Sequence, residues 1–288
     1  MAQGKVCLAA DVSVVAMTPD LGAEIRGIDL SAPLSDACFA RMSDVFHRYS
    51  VVFLRNQVLD ARLLARFAAR FGEAEITAAD ESPLPGLAQV GVLGAIPRDA
   101  VMKIGGAEPM YWHSDRSYES APPSVTLLYG LQGADGAGTE FVNMYSVFNA
   151  LAPEKRLLVQ KLRGVHERAS NEAAEAEASD GAVSLAQRQA AEHPLVRLHP
   201  ETGKKALYLS KDVMARAVGM READSRKLLD QLEAFATQPR FVYAHRWRKG
   251  DLVVWDNRCT LHRMTPFEGT QDRTLYRIRI KGEVPIAG

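Results

Sequence analysis

The hydrophobic residues at the start of the chain follow the spacing of helices and of one buried strand. Ser35 stands where its side chain can cap a helix whose apolar residues share one face. Those apolar residues are Phe39, Met42, Val45 and Phe46. The run Val51–Leu54 predicts a buried strand, and residues 60–71 repeat leucine and phenylalanine at helical spacing before Gly72. This part of the chain is therefore predicted to mix helix and strand.

From residue 111 onward, short β-rich segments separated by turns dominate the pattern. Seven strands are predicted, at 124–129, 140–143, 195–198, 206–209, 241–247, 251–255 and 274–281. Helices are expected at 146–162 and 222–236, and a long loop is expected at 73–109. Many short strands broken by turns favour a sandwich or barrel. The predicted fold class is an all-β core with flanking helices (α+β).

Length and composition are those of one globular domain. The chain has 288 residues, of which 47% are hydrophobic and 24% charged, so residues 1–288 are expected to share one core. The stretch 169–193 is rich in alanine, glutamate and glutamine and has few large apolar side chains. Such a segment cannot build a core, and it is predicted to be a lid or insertion, or else a solvated helix.

Charge, hydropathy and cysteines limit the partners. The 35 basic and 35 acidic side chains cancel, which argues against a nucleic-acid partner. No segment approaches the roughly 18 apolar residues that span a bilayer, so no membrane partner is expected. The three scattered cysteines, Cys7, Cys38 and Cys259, are each expected to be a small buried residue in a reducing compartment. We therefore expect a cytoplasmic protein, and a homo-oligomer because such assemblies are common.

A candidate metal site begins with His113 and Asp115. Side chains two residues apart in an extended chain leave the same face, so this imidazole and this carboxylate can converge. His262 is the best candidate for a third ligand. Two histidines and one carboxylate form the facial triad of non-haem iron(II), which leaves three coordination positions open. The His-x-Asp pair alone is a weak signal, because both residue types are common.

The segment that begins at Arg273 is a candidate anion-binding strand. Arg273, Arg277 and Arg279 share one face of the predicted strand, and a row of tyrosine and isoleucine occupies the other. If the arginine face points inward, these charges need anionic partners such as a dicarboxylate co-substrate and an acidic substrate. The alternative places the arginines in water and the tyrosine and isoleucine row inside, and periodicity alone favours it.

Five motifs occur in an order that resembles a known family. They are Trp112-His-Ser-Asp, Gly138-Thr-Glu-Phe, His193–Tyr208, Gly250-Asp-Leu-Val-Val-Trp-Asp-Asn-Arg-Cys-Thr-Leu-His-Arg and Arg273. From about residue 21 to residue 281, the chain resembles the taurine dioxygenase and dichlorophenoxyacetate dioxygenase family of iron(II)/2-oxoglutarate oxygenases. The resemblance implies a double-stranded β-helix (a cupin-like jelly roll). It also implies an oxidoreductase that uses Fe(II), 2-oxoglutarate and O2.

The resemblance also implies roles for individual residues. The metal ligands are His113, Asp115 and His262. The residues that bind 2-oxoglutarate are Thr139 and Arg273, of which Arg273 pairs with the distal carboxylate. Arg277 matches an arginine that holds the acidic group of the substrate. Trp255 and Asn257 are expected to support the site, Trp255 by packing and Asn257 by fixing the loop that bears His262.

The substrate is predicted from departures within the family. Taurine enzymes carry a histidine upstream of the metal motif and an asparagine four residues before the first ligand. This chain has no histidine between His47 and His113, and it has Pro109 at the second position. Residues 102–104 resemble the aryloxyalkanoate branch, where Lys103 could help hold a carboxylate or could be a solvated lysine. We expect a small organic acid such as an aryloxyalkanoate, with ether cleavage after hydroxylation.

The sequence is also compatible with other functions. Within the family, the chain could be a biosynthetic hydroxylase of an amino acid or natural-product precursor, or an alkylsulfonate dioxygenase. A zinc hydrolase with the same ligands would leave the arginine pair unexplained. A ligand-binding jelly-roll protein without activity predicts neither tight iron binding nor a response to 2-oxoglutarate.

Overall fold

The computed structural model describes residues 9–77, 82–94, 111–133, 136–167, 190–210, 213–265 and 273–288. Within these ranges the chain forms seventeen strands and five α-helices, besides short 3-10 turns at Ala9–Asp11 and Pro239–Phe241. The elements are β1 Ser13–Ala16, β2 Ala23–Arg26, α1 Asp36–Tyr49, β3 Val51–Leu54, α2 Ala61–Ala68, β4 Pro83–Leu84, β5 Leu87–Leu93, β6 Val125–Gln132, β7 Gly138–Asn143, α3 Met144–Ala150, α4 Pro153–Val159, β8 Arg163–Glu167, β9 Ala190–Pro194, β10 Val196–Leu198, β11 Lys205–Leu207, β12 Met214–Ala217, α5 Glu222–Ala236, β13 Val242–Arg246, β14 Leu252–Asp256, β15 Thr260–Met264, β16 Thr274–Ile280 and β17 Ile286–Ala287.

The elements near the start of the chain agree with the hydrophobic pattern. The Ser35 side chain accepts a hydrogen bond from the Cys38 backbone N–H, so it caps α1 as predicted. Asp60 caps α2 in the same way. Strand β3 is buried along its whole length, and α5 has the predicted bounds.

Three predicted segments differ from the observed elements. The expected helix at 146–162 is two helices, because Pro153 has no N–H and forces Ala152 out of the helical region. The expected loop at 73–109 contains β4 and β5, of which β5 pairs with β16 and β4 pairs with β5. Of the predicted lid at 169–193, residues 190–193 belong to β9, and 169–189 lie outside the described residues.

Two sheets enclose the interior of the fold. The larger has eight strands in the order β1-β2-β3-β14-β6-β16-β5-β4, and the smaller has the order β13-β7-β15. One apolar cluster joins their facing sides, and it includes Phe53, Trp255, Leu128, Leu275 and Phe141. Side chains on a strand alternate between its two faces. The residues two positions before or after each of these five on the same strand therefore also point into the interior.

Helices cover the outer faces of both sheets. On the large sheet, α1 and α2 pack through a cluster that includes Met42, Phe46 and Phe67. On the small sheet, α3 and α5 pack through Val147 and Leu229. Two further three-stranded sheets, β11-β10-β17 and β12-β8-β9, lie in the second half of the chain. The resulting order is helix, sheet, interior, sheet, helix.

Strand β16 is buried on both faces, which decides the question that periodicity left open. Arg273, Arg277 and Arg279 are only 5%, 8% and 8% exposed. Tyr276 and Ile278 instead pack against the helical layer on the outer face. The arginine face is therefore the interior face, and the alternative that placed the arginines in water is wrong.

Two further predictions concern cysteines and membranes. Cys38 and Cys259 are buried as expected, and Cys259 is a free thiol. No helix within the described ranges is both long enough and apolar enough to span a membrane.

Candidate active site

The structure brings His113, Asp115 and His262 together. Their candidate ligand atoms all lie within 4.8 Å of one another, and all three side chains are buried. The backbones of His113 and His262 form an antiparallel bridge, in which each N–H donates to the carbonyl of the other at 3.0 and 2.8 Å. This bridge joins the segment after residue 110 to β15, so residues 149 positions apart in sequence meet at one point.

The donor atoms are arranged to hold a cation. The Nε2 atoms of His113 and His262 lie 3.8 and 3.7 Å from Oδ1 of Asp115. An ion about 2.1 Å from each donor fits between atoms at these separations. Nδ1 of His113 lies 3.0 Å from the Tyr111 carbonyl. Because a carbonyl only accepts, Nδ1 carries the hydrogen and Nε2 keeps its lone pair for a metal.

A chain of hydrogen bonds fixes the other oxygen of Asp115. The Thr126 hydroxyl donates to Asp115 Oδ2 at 2.5 Å, and it accepts from the Asn257 side-chain amide at 2.8 Å. The Asn257 side-chain carbonyl in turn accepts from the Trp255 indole N–H at 3.0 Å. These three side chains are almost fully buried. Asp115 is therefore oriented by the interior of the large sheet.

Trp255 and Asn257 also contact the rest of the site. The Trp255 ring packs on the His262 ring, with centroids 4.8 Å apart. The Asn257 backbone carbonyl accepts a hydrogen bond from the Ser114 hydroxyl at 2.8 Å. Trp255 thus packs against His262, whereas the side-chain contacts of Asn257 run toward Asp115 rather than toward His262.

The electrostatics favour an anionic Asp115 and neutral imidazoles. Burial alone would raise the pKa of Asp115, but nearby positive charge, to which the Arg279 guanidinium contributes most, outweighs burial and holds this pKa well below its usual range. Burial lowers the pKa of His113 and lowers the pKa of His262 further. Near pH 7 the three groups therefore have the protonation states that metal binding requires.

Thr139 and Arg273 lie on either side of a buried tryptophan. The Trp247 indole N–H donates to the Thr139 hydroxyl at 2.9 Å, and the Arg273 guanidinium lies 5.8 Å from the centre of the same ring. Arg273 also contacts the Met264 sulfur at 3.3 Å, and Met264 pairs with Thr139 across β15 and β7. These residues form one wall of the interior, which lies beside the His262 strand.

The remaining predicted residues are placed as follows. Arg277 is buried on the interior face of β16, and its charge contributes to lowering the pKa of Asp115 and of His113. Lys103 lies outside the described residues. Trp247 and Thr126 are parts of the site that the sequence did not predict. Each sits in an ordinary β-rich run. The structure shows that Thr126 contacts Asp115, a candidate metal ligand, and that Trp247 contacts Thr139.

Comparison with known proteins identifies the family. Residues 13–279 match the taurine catabolism dioxygenase TauD, TfdA family. The (S)-phenoxypropionate/alpha-ketoglutarate-dioxygenase of Sphingobium herbicidovorans is 32% identical over 269 residues, which cover 91% of this chain and 92% of that protein. The chain belongs to the TauD, TfdA family of dioxygenases. The prediction of a 2-oxoglutarate-dependent dioxygenase is thereby confirmed.

Two further relatives of the TauD, TfdA family extend this agreement to the fold. The alpha-ketoglutarate-dependent 2,4-dichlorophenoxyacetate dioxygenase of Cupriavidus pinatubonensis is 31% identical over 282 residues, covering 92% of this chain and 97% of that one. A crystal structure of a taurine dioxygenase from Burkholderia xenovorans superposes with a TM-score of 0.82 at 30% identity, covering 96% of this chain and 91% of that one. The predicted jelly-roll core with flanking helices is confirmed.

Proposed function

We propose that this member of the TauD, TfdA family is an iron(II)- and 2-oxoglutarate-dependent dioxygenase that hydroxylates a small organic acid of the aryloxyalkanoate class. The observation that carries the proposal is the convergence of His113, Asp115 and His262 beside a buried arginine face. The two neutral imidazoles and one carboxylate match the donor set of non-haem iron(II). When bound there, iron supplies dioxygen activation and the oxidative decarboxylation of 2-oxoglutarate to succinate and carbon dioxide.

The protein residues bind and orient the co-substrate. Arg273 pairs with the distal carboxylate of 2-oxoglutarate, because a buried guanidinium is suited to two parallel hydrogen bonds with a carboxylate. Thr139 accepts from Trp247, so the hydroxyl hydrogen of Thr139 can donate to the same co-substrate. Met264 and Trp247 line this wall and help to exclude water from the chain of the dicarboxylate.

The substrate acid is held by Arg277, with Lys103 proposed as a second contact. Arg277 lies four residues after Arg273 on the same strand face, so the two guanidinium groups can hold two different anions in one interior. The relatives that act on phenoxypropionate and dichlorophenoxyacetate support an aryloxyalkanoate. Hydroxylation next to the ether oxygen gives a hemiacetal, which collapses to a phenol and a carbonyl acid.

The second candidate function is oxygenation of an alkylsulfonate. Its support is the structural similarity to a taurine dioxygenase, and Arg277 would hold a sulfonate as readily as a carboxylate. The absence of a histidine between His47 and His113 still favours the carboxylate substrate. A biosynthetic hydroxylation of an amino acid or natural-product precursor is a third alternative.

The proposal includes the state and location of the protein. We propose a single-domain homo-oligomer in the cytoplasm, without a nucleic-acid or membrane partner. Balanced charge supports the absence of a polyanion partner. Light scattering coupled to gel filtration measures the oligomeric state.

A substrate panel tests the proposed function. Iron-loaded protein with 2-oxoglutarate and air is given an aryloxyacetate, an aryloxypropionate, taurine, an alkyl sulfate or an amino acid, and succinate release is measured. We expect an aryloxyalkanoate to raise succinate release most and to yield one phenol per succinate. Zinc-loaded protein is the control and should release no succinate. A preference for taurine would support the sulfonate alternative, and no stimulation by any acid would contradict both proposals.

A further inference from the structure

One buried cation beside the metal ligands has no part in the function proposed above. Arg279 lies on the same face of β16 as Arg277, and strand pairing places it directly opposite Thr126 on β6. Its Nε atom lies 3.6 Å from Oδ2 of Asp115. A guanidinium therefore reaches a proposed metal ligand from the side away from the histidines.

The two oxygens of Asp115 have different surroundings. Oδ1 faces Nε2 of both His113 and His262. Oδ2 instead accepts from the Thr126 hydroxyl and faces the Arg279 guanidinium. One oxygen is directed at the metal position, and two neighbouring strands hold the other oxygen away from it.

The segment around Glu75 lies beside β16 and the turn that bears Asp115. The Glu75 backbone N–H donates to the Arg279 carbonyl at 2.8 Å, which places the segment around Glu75 beside β16. The Glu75 carboxylate lies 3.5 Å from Arg116, the residue that follows Asp115. Arg116 has a φ of 44°, an unusual conformation for a residue other than glycine, and its guanidinium also contacts Glu119. The turn that bears Asp115 is thus joined to the Glu75 segment by one ion pair and contains a second one between Arg116 and Glu119.

We propose that Arg279 is a positioning residue that keeps Asp115 a one-oxygen ligand of the metal. Carboxylates bind metal ions through one oxygen or through both. If Oδ2 turned toward the ion, it would occupy one of the three positions that the facial triad leaves open for the co-substrate and dioxygen. Arg279 and Thr126 prevent this turn by holding Oδ2. This inference rests on the proposed metal site.

Water-proton relaxivity of the Mn(II)-loaded protein tests the inference without turnover. Relaxivity reports the number of water molecules on the ion, so one-oxygen binding by Asp115 leaves three waters and two-oxygen binding leaves two. We expect Arg279→Met and Thr126→Val each to lower relaxivity by about one third. Removing a purely structural partner of a metal ligand typically lowers metal affinity by roughly tenfold or more. We expect the Mn(II) affinity of these two variants to change by less than that.

Matched variants separate positioning from charge and from folding. Arg279→Lys keeps a cation at this position and should retain most of the wild-type relaxivity. Arg163→Met removes an arginine that pairs with Glu192 far from the site, and it should change nothing. Thr126→Val removes a contact to Oδ2 without changing the charge. If relaxivity falls in Arg279→Met but not in Thr126→Val, the cause is the lost charge, and the inference is overturned.

The outcomes also separate this inference from the proposed function. If the wild type binds Mn(II) but neither Arg279→Met nor Thr126→Val changes the relaxivity, the role proposed for Arg279 is wrong. The proposed metal site would then still stand. Wild-type protein that binds no Mn(II) would contradict the metal site itself, and with it both proposals. Circular dichroism of each variant confirms that the compared proteins are folded.

Discussion

Two buried clusters in this molecule contain similar residues but bond them differently. The first consists of His113, Asp115 and His262, and the second of His199, Asp256 and Cys259. In the second, Arg258 donates to both oxygens of Asp256 at 2.9 and 2.8 Å, and His199 contacts Oδ2 at 2.9 Å. In the first, Oδ1 of Asp115 faces two imidazole nitrogens instead of a guanidinium.

The difference shows why burial and residue type alone do not define a metal site. Burial would raise the pKa of Asp256, but Arg258 and His199 outweigh burial and lower it, so the carboxylate is an anion that already has a cation. Arg258 also donates to both carboxylate oxygens of Glu201. The second cluster is therefore a structural ion-pair network, and this network gives Arg258 a role that the sequence did not reveal.

The largest effect is expected when equivalent histidines of the two clusters are removed. His262→Ala should abolish iron-dependent succinate release, because it removes one of three ligands. His199→Ala should leave iron binding per folded molecule unchanged, because the described hydrogen bonds of His199 are with Asp256 and Thr202, neither of which is a proposed iron ligand. Metal content after dialysis, measured beside activity, checks both variants. Equal loss of iron in both would contradict the distinction between the clusters.

The next effect concerns the stability of the second cluster. Arg258→Met leaves the buried Asp256 without its main cation and should lower the free energy of unfolding by about 3–5 kcal/mol. Chemical denaturation of the variant measures this loss. The folded variant should still bind iron like the wild type. A stability close to that of the wild type would show that Asp256 does not depend on Arg258.

A smaller effect should separate the two arginines proposed to bind anions. Arg273→Met should raise the KM for 2-oxoglutarate about 100-fold, because it removes one partner of a buried charge pair. Arg277→Met should raise the KM for the organic acid and leave substrate-free succinate release nearly unchanged. Steady-state kinetics with each co-substrate varied in turn checks the pair. If Arg273→Met raised the KM for the organic acid and Arg277→Met raised the KM for 2-oxoglutarate, the two proposed roles would be wrong.

The last effect, absent at neutral pH, is the pH dependence contributed by a buried structural histidine. Burial lowers the pKa of His166 to about 3, whereas the pKa of an unfolded histidine is about 6.5. Between these two pH values the histidine is protonated in the unfolded chain but not in the folded protein. The free energy of unfolding therefore keeps its full value above pH 6.5 and falls by about 1.4 kcal/mol per pH unit below it. In His166→Gln this contribution should vanish. Denaturation curves from pH 7 to pH 4 measure the slope, and equal slopes in both proteins would refute it.

Sequence patterns predicted the local elements where local physics determines them. Ser35 and Asp60 cap their helices, and the face of α1 is buried, because these features depend on residues within one or two turns. Strand β5 was missed because pairing with β16 stabilises it, and such pairing leaves no local signature. The division of the predicted helix at Pro153 could have been anticipated from the proline itself.

The candidate site was predictable from motif order but not from periodicity. His113, Asp115 and His262 were assembled by resemblance to the family, and the structure brings them together. The sequence could not show which face of β16 points into the interior. Both faces of this strand are largely buried, so the alternation of side chains does not distinguish them, and only the position of the second sheet does. Thr126 gave no signal, since a threonine in an apolar strand is ordinary until register places it opposite Arg279.

We propose that the interior binds iron(II) through the facial triad and 2-oxoglutarate through Arg273. Anaerobic titration of the iron(II)-loaded protein with 2-oxoglutarate tests it most directly, through the weak visible charge-transfer band of the chelate. We predict a band in the wild type, none in His113→Ala, and a need for far more 2-oxoglutarate in Arg273→Ala. A folded, iron-loaded wild type that develops no band at any concentration of 2-oxoglutarate would contradict the account.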